Sequence, residues 1–137
     1  MDERLNLVKA WFKKADNDIK NAQVVIEAEE PPTDTICFHC QQTAEKYLKG
    51  FLVYHNSGFK KEHDIDYLLD LCCQIDSSFD SLRDIAECLT PYAVESRYPM
   101  DIFDEYPEEE AREAIEIAEH IRKFVREKLP LEGTDSL

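Results

Sequence analysis

Apolar residues recur every three or four positions along most of this chain, which is the period of an amphipathic α-helix rather than a strand. Leu5, Val8, Phe12, Ala15, Ile19, Ala22 and Ile26 form the first seam, widened by Trp11 and Val25, and predict a helix over about 3–28. Asp16, Asn17, Asp18, Lys20 and Asn21 fall mostly off that seam. Glu29-Glu30-Pro31-Pro32 stops it, because a residue preceding proline is pushed out of the helical region. A second helix is expected from Thr33 or Asp34, either of which can serve as N-cap, to about His55. Its stripe is Ile36, Cys40, Ala44, Tyr47, Leu48, Phe51 and Leu52, and Asn56-Ser57-Gly58 supplies residues that tolerate a left-handed exit.

The same period returns over 64–75, through Ile65, Leu68, Leu69, Cys72 and Ile75, and then in a fourth segment through Leu82, Ile85, Ala86 and Leu89. Thr90-Pro91 kinks or restarts that segment, which must end near Tyr98 because Pro99 follows. Pro107-Glu108-Glu109-Glu110 opens the last helix, with carboxylates at the positive end of its dipole, and the helix runs to about Lys128. Short connections between such segments predict an all-α, up-and-down antiparallel bundle of four to five helices. Residues 1–129 make one domain and 130–137 a frayed tail.

Composition narrows the function. The 137 residues suffice for one core. Three glycines argue against a hairpin-rich β fold. No apolar run reaches the ~20 residues that span a bilayer, and the charged opening MDERLNLVKAWFKKAD has no signal-peptide core, so the expected location is cytoplasmic. The net charge of −14 repels polyphosphates at long range and is opposite to that of a bulk-electrostatic DNA binder. No membrane or DNA partner is expected, and an RNA or nucleotide ligand must meet a local basic pocket. The five cysteines lack the repeated Cys-x-x-Cys of a zinc site, and Cys37, Cys40 and Cys72 sit on or beside apolar stripes, so neither metal nor cofactor is expected.

Three segments carry candidate chemistry. On the second helix Gln42, Glu45, Lys46 and Lys49 share a face, with His39 on the same side; Glu45 and Lys49 also have the spacing of an ordinary surface ion pair. At His63-Asp64, Asp64 is a natural helix cap, and His63 either packs at the junction or meets an anion. Arg97 in Ser96-Arg97-Tyr98-Pro99 suits either a helix C-terminus or a forked contact to phosphate. The acidic run from Asp101 to Glu119 contains no Glu-x-x-His of a di-metal bundle and reads as dipole complement and solvated face. No phosphate loop, nucleophile elbow or His-Glu-x-x-His occurs.

Taken in order, Phe38-x-x-Gln41-Gln42-x-x-Glu45-Lys46-x-Leu48-Lys49, His63-Asp64-Ile65-x-x-Leu68-Leu69 and Arg97-Tyr98-Pro99 resemble the HEPN family, named for a higher-eukaryote and prokaryote nucleotide-binding domain. Ala15-Asp16-x-Asp18-Ile19-x-x-Ala22 resembles its first-helix signature, and the resemblance covers about 8–128. It implies a helical bundle, often a homodimer, frequently paired with a minimal nucleotidyltransferase in a toxin–antitoxin-like couple. Many members of the wider superfamily are metal-independent ribonucleases marked by Arg, four to six residues, then His. Here Arg97 meets Ile102, Phe103 and Asp104 at those distances, and Arg112 reaches His120 only after seven intervening residues. With that motif absent, the resemblance leans away from an enzyme and toward a non-catalytic nucleotide- or anion-binding module. Gln42, Lys46, Lys49, His63, Arg97 and Tyr98 form its candidate site. A ribonuclease toxin with His63 as substitute base and a ligand-free dimerisation scaffold are the alternatives. A homodimer, a nucleotidyltransferase-domain protein, and a nucleotide or RNA are the implied partners.

Overall fold

The computed structural model describes residues 2–93 and 106–131. Among them the regular structure is wholly helical, as the apolar period predicts: α1 (Glu3–Val25), α2 (Thr33–Tyr54), α3 (Ile65–Ile75), α4 (Arg83–Glu87) and α5 (Glu108–Glu127). The expected end of the fourth segment near Tyr98, the loop beginning at Pro99 and most of the tail lie outside the described residues.

Cross-helix contacts fix the directions. Arg4 stacks on Tyr54 and Lys49 on Trp11, while Thr43 donates to the Ala15 carbonyl, so α1 and α2 run antiparallel. Arg126 bonds Asp16, Gln23 bonds Glu119 and Arg112 pairs with Glu27, so α5 is also antiparallel to α1. The three long helices enclose Val8, Phe12, Ile19, Tyr47, Phe51, Ile121 and Val125, all at most 1% exposed. Gly50 lets α1 and α2 approach: a Cβ there would lie 2.5 Å from the Phe12 ring. Phe79 fills the floor, against Phe51 at 4.3 Å and Phe124 at 5.0 Å between ring centroids.

Local chemistry departs from expectation in four places. The first helix stops at Val25 instead of 28. The second begins at Thr33 with Pro32 as its cap residue; the Thr33 hydroxyl accepts from the Tyr106 backbone instead of capping its own helix. The fourth segment is no continuous helix: a 3-10 stretch Ser77–Leu82, α4 and a 3-10 turn Thr90–Tyr92 share it. Asp76 caps the first of these by accepting from Ser78, and Pro91 restarts the last. Finally, Asp16 and Asp18 are buried although they stand off the seam.

Asn56 takes the left-handed exit after α2, with φ of 56°. Cys37, Cys40 and Cys72 are fully buried core residues; burial pushes the Cys37 thiol up to about 12 and raises the other two as well. No helix among the described residues is long and apolar enough to cross a membrane.

Candidate functional site

The amphipathic wheel of α2 turns two apolar sides toward α1 and α5 and leaves a polar edge along the α1–α2 seam, where α3 begins. On this edge the expected surface pair is a buried one. Glu45 is 2% and Lys49 7% exposed, with Lys49 Nζ 2.8 Å from Glu45 Oε2. Lys49 is further enclosed by the rings of Trp11, 5.4 Å to the centroid, and Phe59, 5.9 Å. An ammonium over aromatic faces is attracted by their quadrupoles, so this lysine is held on three sides.

Glu45 also gathers the start of α3. Asp64 caps that helix by accepting from the Asp66 N–H, which sets His63 just before the first turn. The His63 ring then brings Nδ1 to 3.0 Å from Glu45 Oε2, while its side chain stays 69% exposed. An ionised carboxylate only accepts, so Nδ1 carries the hydrogen and Nε2 is the free ring position. The Gln41 amide, fully buried, donates to both Glu45 and the His63 carbonyl and accepts from Gln42 at 2.8 Å. Gln42, Lys49 and His63 therefore belong to one connected network with Glu45 at its centre.

A second carboxylate lies alongside. Asp18 of α1 accepts from His39 Nδ1 at 2.7 Å through Oδ1 and from Lys46 Nζ at 2.5 Å through Oδ2. Of the candidate residues, then, Gln42, Lys49 and His63 are joined through Glu45 and Lys46 is paired with Asp18. Arg97 and Tyr98 lie outside the described residues. Each of the two carboxylates of this edge is balanced by a lysine, Glu45 by Lys49 and Asp18 by Lys46. A cleft of about 260 Å³ bounded by Leu89, Tyr92, Glu110 and Ile117 lies elsewhere and contains none of these residues.

The other carboxylate of α1 is sealed. Asp16 accepts from Arg122 Nε at 2.9 Å and Arg126 Nη2 at 2.7 Å, and from the Tyr47 hydroxyl. Arg126 Nε in turn donates to the Tyr47 oxygen, and its guanidinium stacks on Phe12 and Tyr47. Burial, with Asp16 adding to it, raises the Tyr47 hydroxyl above its ordinary range, so it stays a donor at neutral pH. Sequence reasoning gives neither aspartate a partner and leaves His39 outside the candidate set. The signal that could have found them is the position of Asp16 and Asp18 between the seam residues Ala15 and Ile19 of α1.

Among the described residues no three His, Cys, Asp or Glu side chains converge in a way that could hold a metal ion.

Comparison with known proteins agrees with this architecture. A crystal structure of TT1696 from Thermus thermophilus is similar, at 28% identity and a TM-score of 0.73, over 89% of this chain and 98% of that one. A second similar structure is ST0689, described as an archaeal HEPN homologue, at 26% identity and a TM-score of 0.66, over 88% and 96% of the two chains. No functionally curated protein matches. The HEPN domain profile matches residues 8–128, a span that takes in all five helices but for the first few residues of α1. The chain belongs to the HEPN family.

Proposed function

We propose that this HEPN chain is a non-catalytic module that binds a nucleotide or similar phosphate-bearing anion on the polar edge of α2. Gln42, Lys46 and His63 supply its described contacts, and Lys49, buried against Glu45, holds the network together; the other candidates, Arg97 and Tyr98, lie outside the described residues. The observation that carries this reading is the Glu45 network: a carboxylate 2% exposed that orients an imidazole 69% exposed. Lys49 balances the charge of Glu45, so His63 can meet an anion without an uncompensated carboxylate behind it. Lys46 presents the ammonium hydrogens that Asp18 does not use. Gln42 offers a neutral polar contact between them.

Thermal melting with AMP, GMP or ATP tests this reading. Ligand at 100 times its dissociation constant stabilises the fold by about 2.7 kcal/mol, and His63→Ala abolishes the shift. Melting curves unmoved by every nucleotide favour a ligand-free dimerisation scaffold instead.

The same reading makes the chain a homodimer and the partner of a nucleotidyltransferase-domain protein in a toxin–antitoxin-like pair. A charge of −14 suits a partner with a basic surface. Mixing the two purified proteins should give a complex that weakens with salt; no complex at low salt removes that partner.

One observation favours a second reading. Held at Nδ1 by Glu45, His63 has the orientation of a general base, so metal-independent RNA cleavage is the alternative. Cleavage in chelator that disappears in His63→Ala supports it, and RNA left intact by the pure protein excludes it.

A further inference from the structure

The cleft between α5 and the stretch that follows α4 shares no group with the α2 edge. Along α5 its wall is Glu110, Glu113, Ala114 and Ile117. These stand three, four and seven residues from the first, so one helical face lines the cleft. That face changes character along its length. Glu110 and Glu113 lie at the N-terminal end, and Ile117 follows Glu110 by an axial rise of about 10 Å. Leu89, fully buried, and Tyr92, 6% exposed, belong to the opposite wall. One end is anionic and the rest is apolar.

Tyr92 fixes the anionic end. Its hydroxyl donates to Glu110 Oε2, and its ring meets the Tyr106 ring edge-on at 4.8 Å between centroids. Burial, reinforced by the bond to Glu110, raises this hydroxyl above its ordinary range, so it stays a donor at neutral pH. Glu110 Oε1 is left as an acceptor. Among the described residues neither Glu110 nor Glu113 forms an ion pair: Arg112, between them in sequence, pairs with Glu27 and Glu108 instead.

A carboxylate at the end of an apolar slot of about 260 Å³ suits a cation on an aliphatic stem. A lysine side chain has that form, since its methylenes cover apolar surface and its ammonium is a compact point charge. An arginine fits less well, because the Tyr92 hydroxyl already holds the oxygen onto which a guanidinium would fork. The adjoining groove of α5 shares Glu110 and Glu113 and adds Glu109 and Glu116. Further cations of the same incoming segment therefore meet a complementary surface.

We propose that this cleft is a docking site for a basic segment of a partner protein, which inserts one lysine side chain between the 3-10 turn Thr90–Tyr92 and α5. The stem lies along Leu89, Ala114 and Ile117, and the ammonium meets Glu110 and Glu113. The assignment rests on the cleft alone and is independent of nucleotide binding on the α2 edge.

Tetralysine with blocked termini, titrated into the intact protein at about 0.15 M salt, tests it. Two readouts report on the cleft: the backbone amide resonances of Leu89, Ala114 and Ile117, and the alkylation rate of Cys88, an exposed thiol on its wall. The amides should shift to saturation and Cys88 alkylation should slow, with Cys73 unaffected. Glu110→Gln keeps an acceptor for Tyr92 and removes only the charge. It should weaken tetralysine at least about tenfold, the factor that one charge-assisted hydrogen bond supplies. Glu3→Gln, an equal loss of charge in the first turn of α1, should leave binding nearly unchanged. Tetra-arginine should bind more weakly, and tighter binding would overturn the choice of lysine.

Equal weakening by the two variants, or shifts spread over the acidic surface without saturation, means diffuse attraction and overturns the site. Spermidine binding tighter than the peptide makes the occupant a free polyamine, and a dimer that Glu110→Gln dissociates makes it a second copy of this chain. Either result overturns the partner segment. The nucleotide-binding reading stands or falls separately, since neither variant touches His63.

Discussion

Asp16 and Asp18 stand two residues apart on α1 and are used in opposite ways. Asp16 faces donors from two other helices: Tyr47 of α2, and Arg122 and Arg126 of α5, more than a hundred residues later in the chain. The side chains of those arginines are 17% and 11% exposed, and a further guanidinium nitrogen on each is buried without an acceptor. Asp18 faces two donors of α2 that keep contact with solvent and have bonding capacity to spare. A carboxylate closed on all sides locks three helices together. A carboxylate closed on one side holds polar groups in place for something else to touch. Burial of the aspartate alone does not distinguish the two, since their side chains are 11% and 12% exposed; the exposure of their partners does.

Breaking the sealed cluster should have the largest effect. Asp16→Ala leaves two guanidiniums buried without their counter-charge, a loss of about 3–5 kcal/mol, measurable as a lower urea midpoint. Asp18→Ala frees His39 and Lys46 to hydrate and should cost about 1–2 kcal/mol. Equal losses for the two would erase the distinction between them.

Gly50→Ala probes the α1–α2 contact that both clusters depend on. The new methyl meets the Phe12 ring, itself 1% exposed and unable to swing away. The expected destabilisation is about 1–3 kcal/mol by overpacking, and a neutral melting temperature would show that the helices separate more easily than this packing allows. On the open side, His63→Ala should change stability by no more than about 0.5 kcal/mol while removing the nucleotide-dependent shift in melting.

Thiol labelling sharpens the contrast between interior and edge without any mutation. Cys88 is exposed and Cys73 half-buried, whereas Cys37, Cys40 and Cys72 are sealed. With burial pushing Cys37 up to about 12 and raising Cys40 and Cys72 too, two thiols should alkylate in the native protein and all five after unfolding.

The smallest effect belongs to Asp76. Hydrogen bonds from Ser78 and Lys128 hold its carboxyl at about 2, below the ordinary 3.8. A depressed carboxyl contributes stability above its unfolded value, and the contribution disappears as pH falls from there through the folded value. Acid titration of stability should therefore be slightly flatter between about pH 4 and 2 in Asp76→Asn than in the parent.

Much of the fold was legible because the long helices repeat their apolar residues at one period. Ile36 through Leu52 and Ala111 through Val125 can be traced directly from spacing, and both stripes are buried. Where helices are short the period runs out. Leu82, Ile85, Ala86 and Leu89 fit one helix by spacing, yet the Asp76 cap at one end and Pro91 at the other divide the segment.

The polar edge was legible only in part. The spacing of Gln42, Glu45, Lys46 and Lys49 puts them on one face, but says nothing about whether α3 returns over that face to bury Glu45. Asp16 and Asp18 look alike in sequence because their partners come from elsewhere in the chain, and long-range pairing leaves no local pattern. The matched HEPN profile restores the order of the motifs, not the contacts among them.

The chain's four histidines allow the most direct test of the α2 edge as a binding site. In a ring-nitrogen NMR spectrum titrated with ATP, His63 should shift and saturate, while His55 and His120, which lie outside both networks, stay fixed. Four resonances that remain still, or that drift alike without saturating, would contradict the assignment of this face to a phosphate-bearing ligand.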